Sequence, residues 1–582
     1  MKLLTSDHNA MRNILISKVG RMSPWESDPL RREQTSWSVF ALAALLVLIS
    51  VWRIVSTYRI FSQVWDEPAH IACGLQWWQQ GVYKLEPQHP PLSRIFFAAP
   101  LYFKGVRLER FADKWQDGNA ALTFGGNYSG NLRLARIGNL PFWIAACLFL
   151  FLLAKQTYDQ PTALLATLFF TTLPPMLALA GLAYTDTALV AGMLCFAWRW
   201  IMFLEKPNVA NSVGLGLSIS FAILTKYSAI PYMAVTGLLT GLLAVRHPRL
   251  ARAVAQPGER LKKLGLLVMI IFVAFVTTWA CFRFSLQPIS MNAGHRHPFV
   301  DARVGSSGLL HNLVYWAIDT PLPLREVHLG VKQVADHARN GHLAYNFGKI
   351  RRTGTPYYYM ALFIFTVPVG FLLLLILSAV FLWNARRRVC VRLQQQIFLT
   401  VLVAVVLVNA CSSINIGYRH NLLFYALMCL LAAAGCRFVF ASKLMWARSL
   451  VLLFIVQHVG ASVLAHPNYH GYFNILAMNR PEEICVSSLG GGDEWRLAAR
   501  LRERGISHIH LALDPPLPIE ALGFPSYSLS DGSPSMSKGW LAVGVYHYFT
   551  APERFGWLRR YRPVERIGKT IMLYYIDDGS TK

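Results

Sequence analysis

The sequence predicts a mainly α-helical, polytopic membrane protein: a bundle of about eleven transmembrane helices, with helices in its outer-face loops and a small C-terminal α/β domain. Three observations predict this. Of 582 residues, 54% are hydrophobic and only 15% are charged, against roughly 25% charge in soluble globular chains. Apolar runs of spanning length recur between residues 37 and 465. The basic excess, 56 Lys+Arg against 30 Asp+Glu for a net charge of +26, sits in short segments between those runs. That placement fits anionic lipid and membrane topology, not the continuous basic face of a nucleic-acid binder, so no nucleic-acid partner is expected.

A spanning helix takes about 20 mainly apolar residues. Spans are expected near 37–58, 136–155, 161–180, 186–204, 209–225, 228–245, 264–284, 360–383, 396–411, 420–435 and 449–465. The 360–383 run holds no charge at all, and the least regular runs surround Pro174-Pro175 and Tyr227. Hydrophobicity is continuous within each run, which selects helices over a barrel. Mostly polar residues precede a first run long enough to span, so the N-terminal segment reads as an arm and not as a cleaved signal. The nine cysteines show no CxxC or finger-like spacing, so neither a disulfide framework nor a zinc site is indicated.

Short loops set the orientation. Arg246, Arg249, Arg252, Arg260, Lys262 and Lys263 follow the sixth span; Arg386, Arg387, Arg388 and Arg392 follow the eighth; Arg437, Lys443 and Arg448 follow the tenth. With Lys2, Arg12, Lys18, Arg21, Arg31 and Arg32 of the arm they share one side, and basic loops stay in the cytoplasm. The expected organisation is a cytoplasmic arm over 1–36 and a transmembrane domain over 37–465, with outer loops near 59–135 and 285–357. An extracytoplasmic α/β domain follows over 466–582. In that domain a helix over 493–504 is stopped by Gly505, and strand-like runs lie at 508–513, 540–548 and 571–576. Arg53 and Arg199 are the charges inside spans, both where a snorkelling side chain reaches the interface.

The first outer loop opens Val64-Trp65-Asp66-Glu67-Pro68-Ala69-His70. Pro68 fits the first turn of a helix, and Ile71, Leu75, Trp78 and Val82 then form an apolar stripe. Asp66, Glu67 and His70 fall on an arc beside it, so a helix lying on the membrane surface would hold two carboxylates and an imidazole above the lipid. The same residues also suit a helix N-cap and a favourable first-turn acid. Gln88-His89-Pro90-Pro91 reads as an extended entry into the next helix, with His89 either structural or a substrate contact. Asp186 at the outer end of a span is a functional candidate or a solvated N-cap. Lys226 and Arg419-His420 sit on outer turns, as snorkelling groups or as cations for a phosphate. Sidedness favours function: acids, imidazoles and cations from distant parts of the chain reach one face.

Taken in order, several segments carry a family resemblance: VWDEPAHIACGLQWWQQGVY, EPQHPPLSRIFFAAPL, GLAYTDTALVAG, LTKYSAIPY, HLAYNFGKIRRTGTPYYY, INIGYRHNLLF, HPNYHGYFNILA and FGWLRRYRPVERIGKTIMLYY. They resemble the bacterial integral-membrane glycosyltransferases related to protein O-mannosyltransferases and the lipid A aminoarabinose transferase, the GT-C class. The resemblance implies a multi-pass enzyme of the inner cell membrane. It would take a sugar from a polyprenyl-phosphate donor and pass it, with inversion, to a glycan, lipid or protein acceptor outside the cytoplasm. It implies that Asp66 and Glu67 are catalytic, with Asp66 accepting the acceptor's proton. His70, His89, Asp186, Lys226, Tyr345, Tyr418, Arg419 and His420 are the expected substrate contacts, Lys226 and Arg419 facing the leaving phosphate. A monophosphate donor requires no metal, although Asp66, Glu67 and His70 have the chemistry to ligate Mg²⁺ or Mn²⁺.

Two departures stand out. Relatives often carry Lys-Thr-Pro where this chain has Phe365-Thr366-Val367-Pro368, and an Asp-Trp-Gly-Gln-Asp-like segment where it has Leu489-Gly490-Gly491-Gly492-Asp493-Glu494-Trp495. Two other functions share much of this pattern. A transporter or lipid flippase would show internal repeats and ionisable groups near the bilayer midplane; a non-catalytic binder of lipid-linked sugars would keep the site without turnover.

Overall fold

The computed structural model describes residues 36–246, 260–288, 298–385, 391–513, 517–534 and 538–577. The expected cytoplasmic arm up to residue 35, and Arg249, Arg252, Arg386, Arg387 and Arg388, lie outside the described residues. Helices occupy every expected span. Among the described residues seven are long and apolar enough to cross a membrane, or nine if each of two bent pairs is one span; Val209–Thr225 and Ala229–Val245 are shorter apolar helices.

Both bends have a local cause. Leu173 precedes Pro174 in an extended conformation (φ −81°, ψ 116°), and the helices on either side, Gln160–Thr172 and Pro174–Ala180, diverge by 67°. Val367 precedes Pro368 likewise (φ −104°, ψ 152°), and there the chain turns by 117°. A proline excludes the preceding residue from helical geometry and offers no N–H to the ladder. The charge-free run expected as one clean span is therefore two helices, Tyr358–Thr366 and Val369–Ala385.

Arg53 corrects another expectation. It does not snorkel: it is buried, donating from Nε to Tyr469 Oη at 2.8 Å and from Nη2 to the Ser462 carbonyl at 2.6 Å. The first described span is thereby tied to the last.

The first outer loop folds into helices Glu67–Gln80, Pro91–Phe103, Lys114–Thr123 and Tyr128–Ile137. The second carries helices Pro298–Val304, Leu309–Asp319 and Arg325–Asn340. It also holds two short antiparallel pairs: β1 (Leu286–Gln287) with β2 (Leu322–Pro323), and β3 (Ala344–Asn346) with β4 (Lys349–Arg351).

The C-terminal domain is a five-stranded mixed sheet of β5 (His508–Ala512), β6 (Ser526–Leu529), β7 (Gly539–Gly544), β8 (Glu565–Ile567) and β9 (Ile571–Ile576), in the order β6-β5-β7-β9-β8. β5 pairs in parallel with β6 and β7; β9 pairs antiparallel with β7 and β8. The helix Glu494–Glu503 packs Leu497 and Leu501 against the sheet. The strand expected over 540–548 stops at Gly544, and Val545–Thr550 is helical. β6 and β8 are too short and too polar for their alternation to signal a strand.

Candidate active site

The helix Glu67–Gln80 is the site's first support. Pro68 occupies its first turn, and Gly81 in the left-handed conformation (φ 70°) ends it. Val82 falls beyond that stop, so the apolar stripe closes at Trp78. Every residue from Glu67 to Gln76 is buried. The helix is thus enclosed by protein instead of lying open on the membrane surface, as sequence periodicity had suggested. Close packing enforces this: any Cβ at Gly118 of the Lys114–Thr123 helix would collide with the Pro68 carbonyl.

Asp66 stands at the N-cap position but makes no capping hydrogen bond. Its Oδ2 accepts from Arg419 Nη1 at 2.6 Å, and its backbone N–H donates to Tyr184 Oη at 3.3 Å. The Arg419 guanidinium lies 5.1 Å from the centre of the Tyr184 ring. Burial acts to raise the Asp66 carboxyl, but Arg419, assisted by His89 and Lys114, outweighs it and holds the group below the usual carboxylate range.

Glu67 faces elsewhere. It is wholly buried, forms a two-pronged pair with Arg136 (2.8 Å to each oxygen), and accepts from the backbone N–H groups of Val64 (3.0 Å) and Ala183 (2.9 Å). The expectation of a catalytic acidic pair is corrected: Asp66 alone reaches the cavity wall, and Glu67 locks the loop beneath it. His70 is also a layer back. Its Nδ1 accepts from Arg94 Nε at 3.0 Å, which puts the ring proton on Nε2. Burial, then the Arg94 charge, pushes its pKa well down. Arg94 also donates to Tyr83 Oη and to the Glu86 carbonyl, both at 2.8 Å, and pairs with the Glu86 carboxylate. Glu86 in turn faces His89 Nδ1 at 3.4 Å.

These supports surround a cavity of about 770 Å³. Asp66, His89, Lys226, Tyr418, Arg419 and His420 line it. Asp186 stands behind Lys226 and holds its ammonium at 2.6 Å, with side chains 3% and 12% exposed respectively. Tyr345 does not reach the cavity; on β3 it packs 5.0 Å from Phe549, which corrects its expected contact. Leu189, Ile230, Pro231, Val331, Val334 and Val408 make an apolar side, and Ser488, Gly491 and Glu494 of the C-terminal segment close another.

Residues 130–279 match the family model described as dolichyl-phosphate-mannose-protein mannosyltransferase. No curated protein sequence matches the chain significantly. Among solved structures, the S. cerevisiae protein O-mannosyltransferase Pmt1-Pmt2 complex bound to the sugar donor is similar at TM-score 0.50 and 10% identity, over 78% of this chain and 91% of that one. At such identity the likeness establishes the fold. ArnT from Cupriavidus metallidurans bound to undecaprenyl phosphate is similar at TM-score 0.45 and 12% identity, over 92% and 98% of the two chains. The Archaeoglobus fulgidus oligosaccharyltransferase AglB, in complex with an inhibitory peptide and a dolichol-phosphate, is similar at 0.43 and 14%, over 93% and 74%. The chain shares the fold of that membrane mannosyltransferase.

Several residues of this site escaped sequence reading. Lys114 adds a third cation to the cavity and stacks on Trp115 at 4.4 Å, while Trp65 meets Trp115 edge to face at 6.5 Å. His337 and His342 form a ring pair (Nε2 to Nδ1, 3.3 Å) at the wall. Lys114 sits in a polar stretch without periodicity, and nothing local marks it. Arg136 opens the second expected span, and a cation at that outer edge was a signal that could have been read.

A metal set does not assemble from the expected residues: Asp66, Glu67 and His70 each engage a different arginine, Arg419, Arg136 and Arg94. Among the described residues no group of three His, Cys, Asp or Glu side chains is spaced to hold an ion.

Proposed function

We propose that this protein is a GT-C class glycosyltransferase that moves a sugar from a polyprenyl-phosphate donor to an acceptor hydroxyl on the outer face of the inner membrane, with inversion at the anomeric carbon and Asp66 as the base. One observation carries this reading: Asp66, Lys226 and Arg419, remote in sequence, line a single cavity that also has an apolar side for a lipid. The matched family's name specifies a lipid-phosphate-linked mannose as donor, which supports the same donor class here. The orientation follows from the basic loops, which leave the cavity outside.

In the reaction the acceptor oxygen attacks the sugar C1 as the bond from C1 to the phosphate oxygen breaks. The electron pair of that bond leaves with the polyprenyl phosphate, and the acceptor's proton passes to Asp66. Arg419 bonds Oδ2 of Asp66 and itself lines the cavity. It keeps the carboxylate ionised and oriented, so Asp66 takes up the proton late, as the new bond forms. Lys226, fixed by Asp186, supplies charge to the leaving phosphate. Apolar residues beside these groups lower the local dielectric, which strengthens that stabilisation.

The test is transfer of label from a radiolabelled polyprenyl-phosphate sugar by the purified protein in lipid nanodiscs. Transfer that survives Asp66→Asn unchanged would remove Asp66 from the mechanism. Lipid translocation without any sugar transfer would replace the enzyme reading by a flippase.

A further inference from the structure

Beside the main cavity lies an open groove of about 470 Å³. The two share Gln88, Lys114 and His337, so the groove leads into the reaction chamber. Its other lining residues are Glu86, Gln333, Asp336 and Asn340, and none of the seven is apolar. The chamber thus combines apolar lining such as Leu189, Ile230 and Val408 with this polar approach between the two outer loops.

We propose that the groove is the acceptor site and that the acceptor is a neutral saccharide; this rests on the sugar-transfer reading above and adds the acceptor's class. The exposed amides of Gln333 and Asn340 offer both donors and an acceptor, which matches hydroxyl groups that both donate and accept. Trp65, 46% exposed, meets Trp115, which in turn carries Lys114 over its ring, all three in the chamber wall. The Trp65 ring offers an apolar face to the C–H face of a sugar, and the buried Trp115 Nε1 has no hydrogen-bond partner.

Other acceptor classes fit less well. A phosphorylated glycolipid needs several cations; the groove has Lys114 against two carboxylates, Glu86 and Asp336. An acyl chain finds no apolar wall there. A peptide that binds by adding a strand needs an exposed sheet edge, and the lining comes from a loop and two helices.

Gln333 and Asn340 are exposed and lie outside the donor machinery, so their substitution leaves the fold intact. Saturation-transfer NMR on the full chain in nanodiscs, with neutral gluco-, galacto- and manno-oligosaccharides as probes, should show saturable binding. That binding should weaken about tenfold in Gln333→Ala/Asn340→Ala, while binding of polyprenyl phosphate is unchanged. In the transfer assay, label should enter the oligosaccharide pool. Label entering only a serine- and threonine-containing peptide pool or only a phosphorylated glycolipid would overturn the proposal, as would oligosaccharide binding indifferent to the double variant, or none at all. Loss of polyprenyl-phosphate binding by the unaltered protein would instead sink the donor reading, with the saccharide arm still read independently.

Discussion

Arg419 reaches back across 353 positions of sequence to grip Asp66 through one carboxylate oxygen. The other oxygen, Oδ1, has no hydrogen-bond partner among the described residues. An acid held in this way is a fixed, ionised acceptor of a proton, and its removal separates chemistry from folding. Asp66→Asn should lower transfer by about 10²–10⁴, the range for a lost general base, with an unchanged melting profile in detergent. Arg419→Lys should retain part of the activity, since a point charge replaces a fork. Equal loss of folded protein in both variants would mean that the pair is structural.

Lys226 makes a different prediction because its partner lies behind it. Lys226→Met should reduce transfer by about 10²–10³, the scale of a lost charge-stabilising donor, and weaken binding of polyprenyl phosphate. Asp186→Asn removes only the tether, and its effect should be about tenfold and smaller than that of Lys226→Met. A larger effect of Asp186→Asn on phosphate binding would assign the carboxylate a direct role.

Glu67→Gln is expected to act through stability. It leaves the buried Arg136 guanidinium without its counter-charge, a change that costs about 3–5 kcal/mol in comparable buried pairs. The measurement is folded yield and thermal midpoint, with Arg136→Met/Glu67→Met as the partner variant that removes both charges. A normally stable Glu67→Gln protein that lacks transfer would return Glu67 to the reaction.

Acidification should loosen the outer-face assembly before it titrates Asp66. His70 is held neutral by burial and by Arg94, so its folded pKa lies well below the usual histidine value. Its neighbours Glu86, His89 and Arg419 face the same ring, and His89 is lowered as well, by burial set against Glu86. Between the folded and unfolded values the unfolded chain binds the extra proton, so stability falls as pH drops below about 6.5. The slope from His70 alone is up to about 1.4 kcal/mol per pH unit. The Asp66 pair has the opposite signature: it contributes fully above the ordinary aspartate value and is lost only as pH falls through its depressed one. Thermal midpoints between pH 7.5 and 5.5 should therefore decline, and His70→Asn, which keeps an acceptor for Arg94, should flatten the decline. An unchanged slope would exclude His70 as its source.

Much of this was legible in the sequence because the bilayer imposes a strong code. Continuous apolar runs located every spanning helix, and the one-sided basic loops implied that Asp66, Lys226 and Arg419 share a face. Periodicity failed where a single residue decides. Val82 continues the apolar stripe by spacing, but Gly81 has already turned the chain away. The charge-free run before Trp383 reads as one span because hydrophobicity does not register the break at Val367. Asp66 and Glu67 look interchangeable until their arginines are known, and those partners lie 353 and 69 positions away. Local sequence has no means of stating such a pairing.

The C-terminal segment is bolted to the first outer loop. Ser62 donates through its hydroxyl to the Glu494 carboxylate and through its N–H to the Gly492 carbonyl at 3.0 Å, while Asp493 collects both N–H groups of Lys569 and Thr570. A chain trimmed after its last membrane helix would keep its anchorage and its arginine-gripped aspartate, yet the cavity would lose the part of its wall that Ser488, Gly491 and Glu494 supply and would stand open to water there.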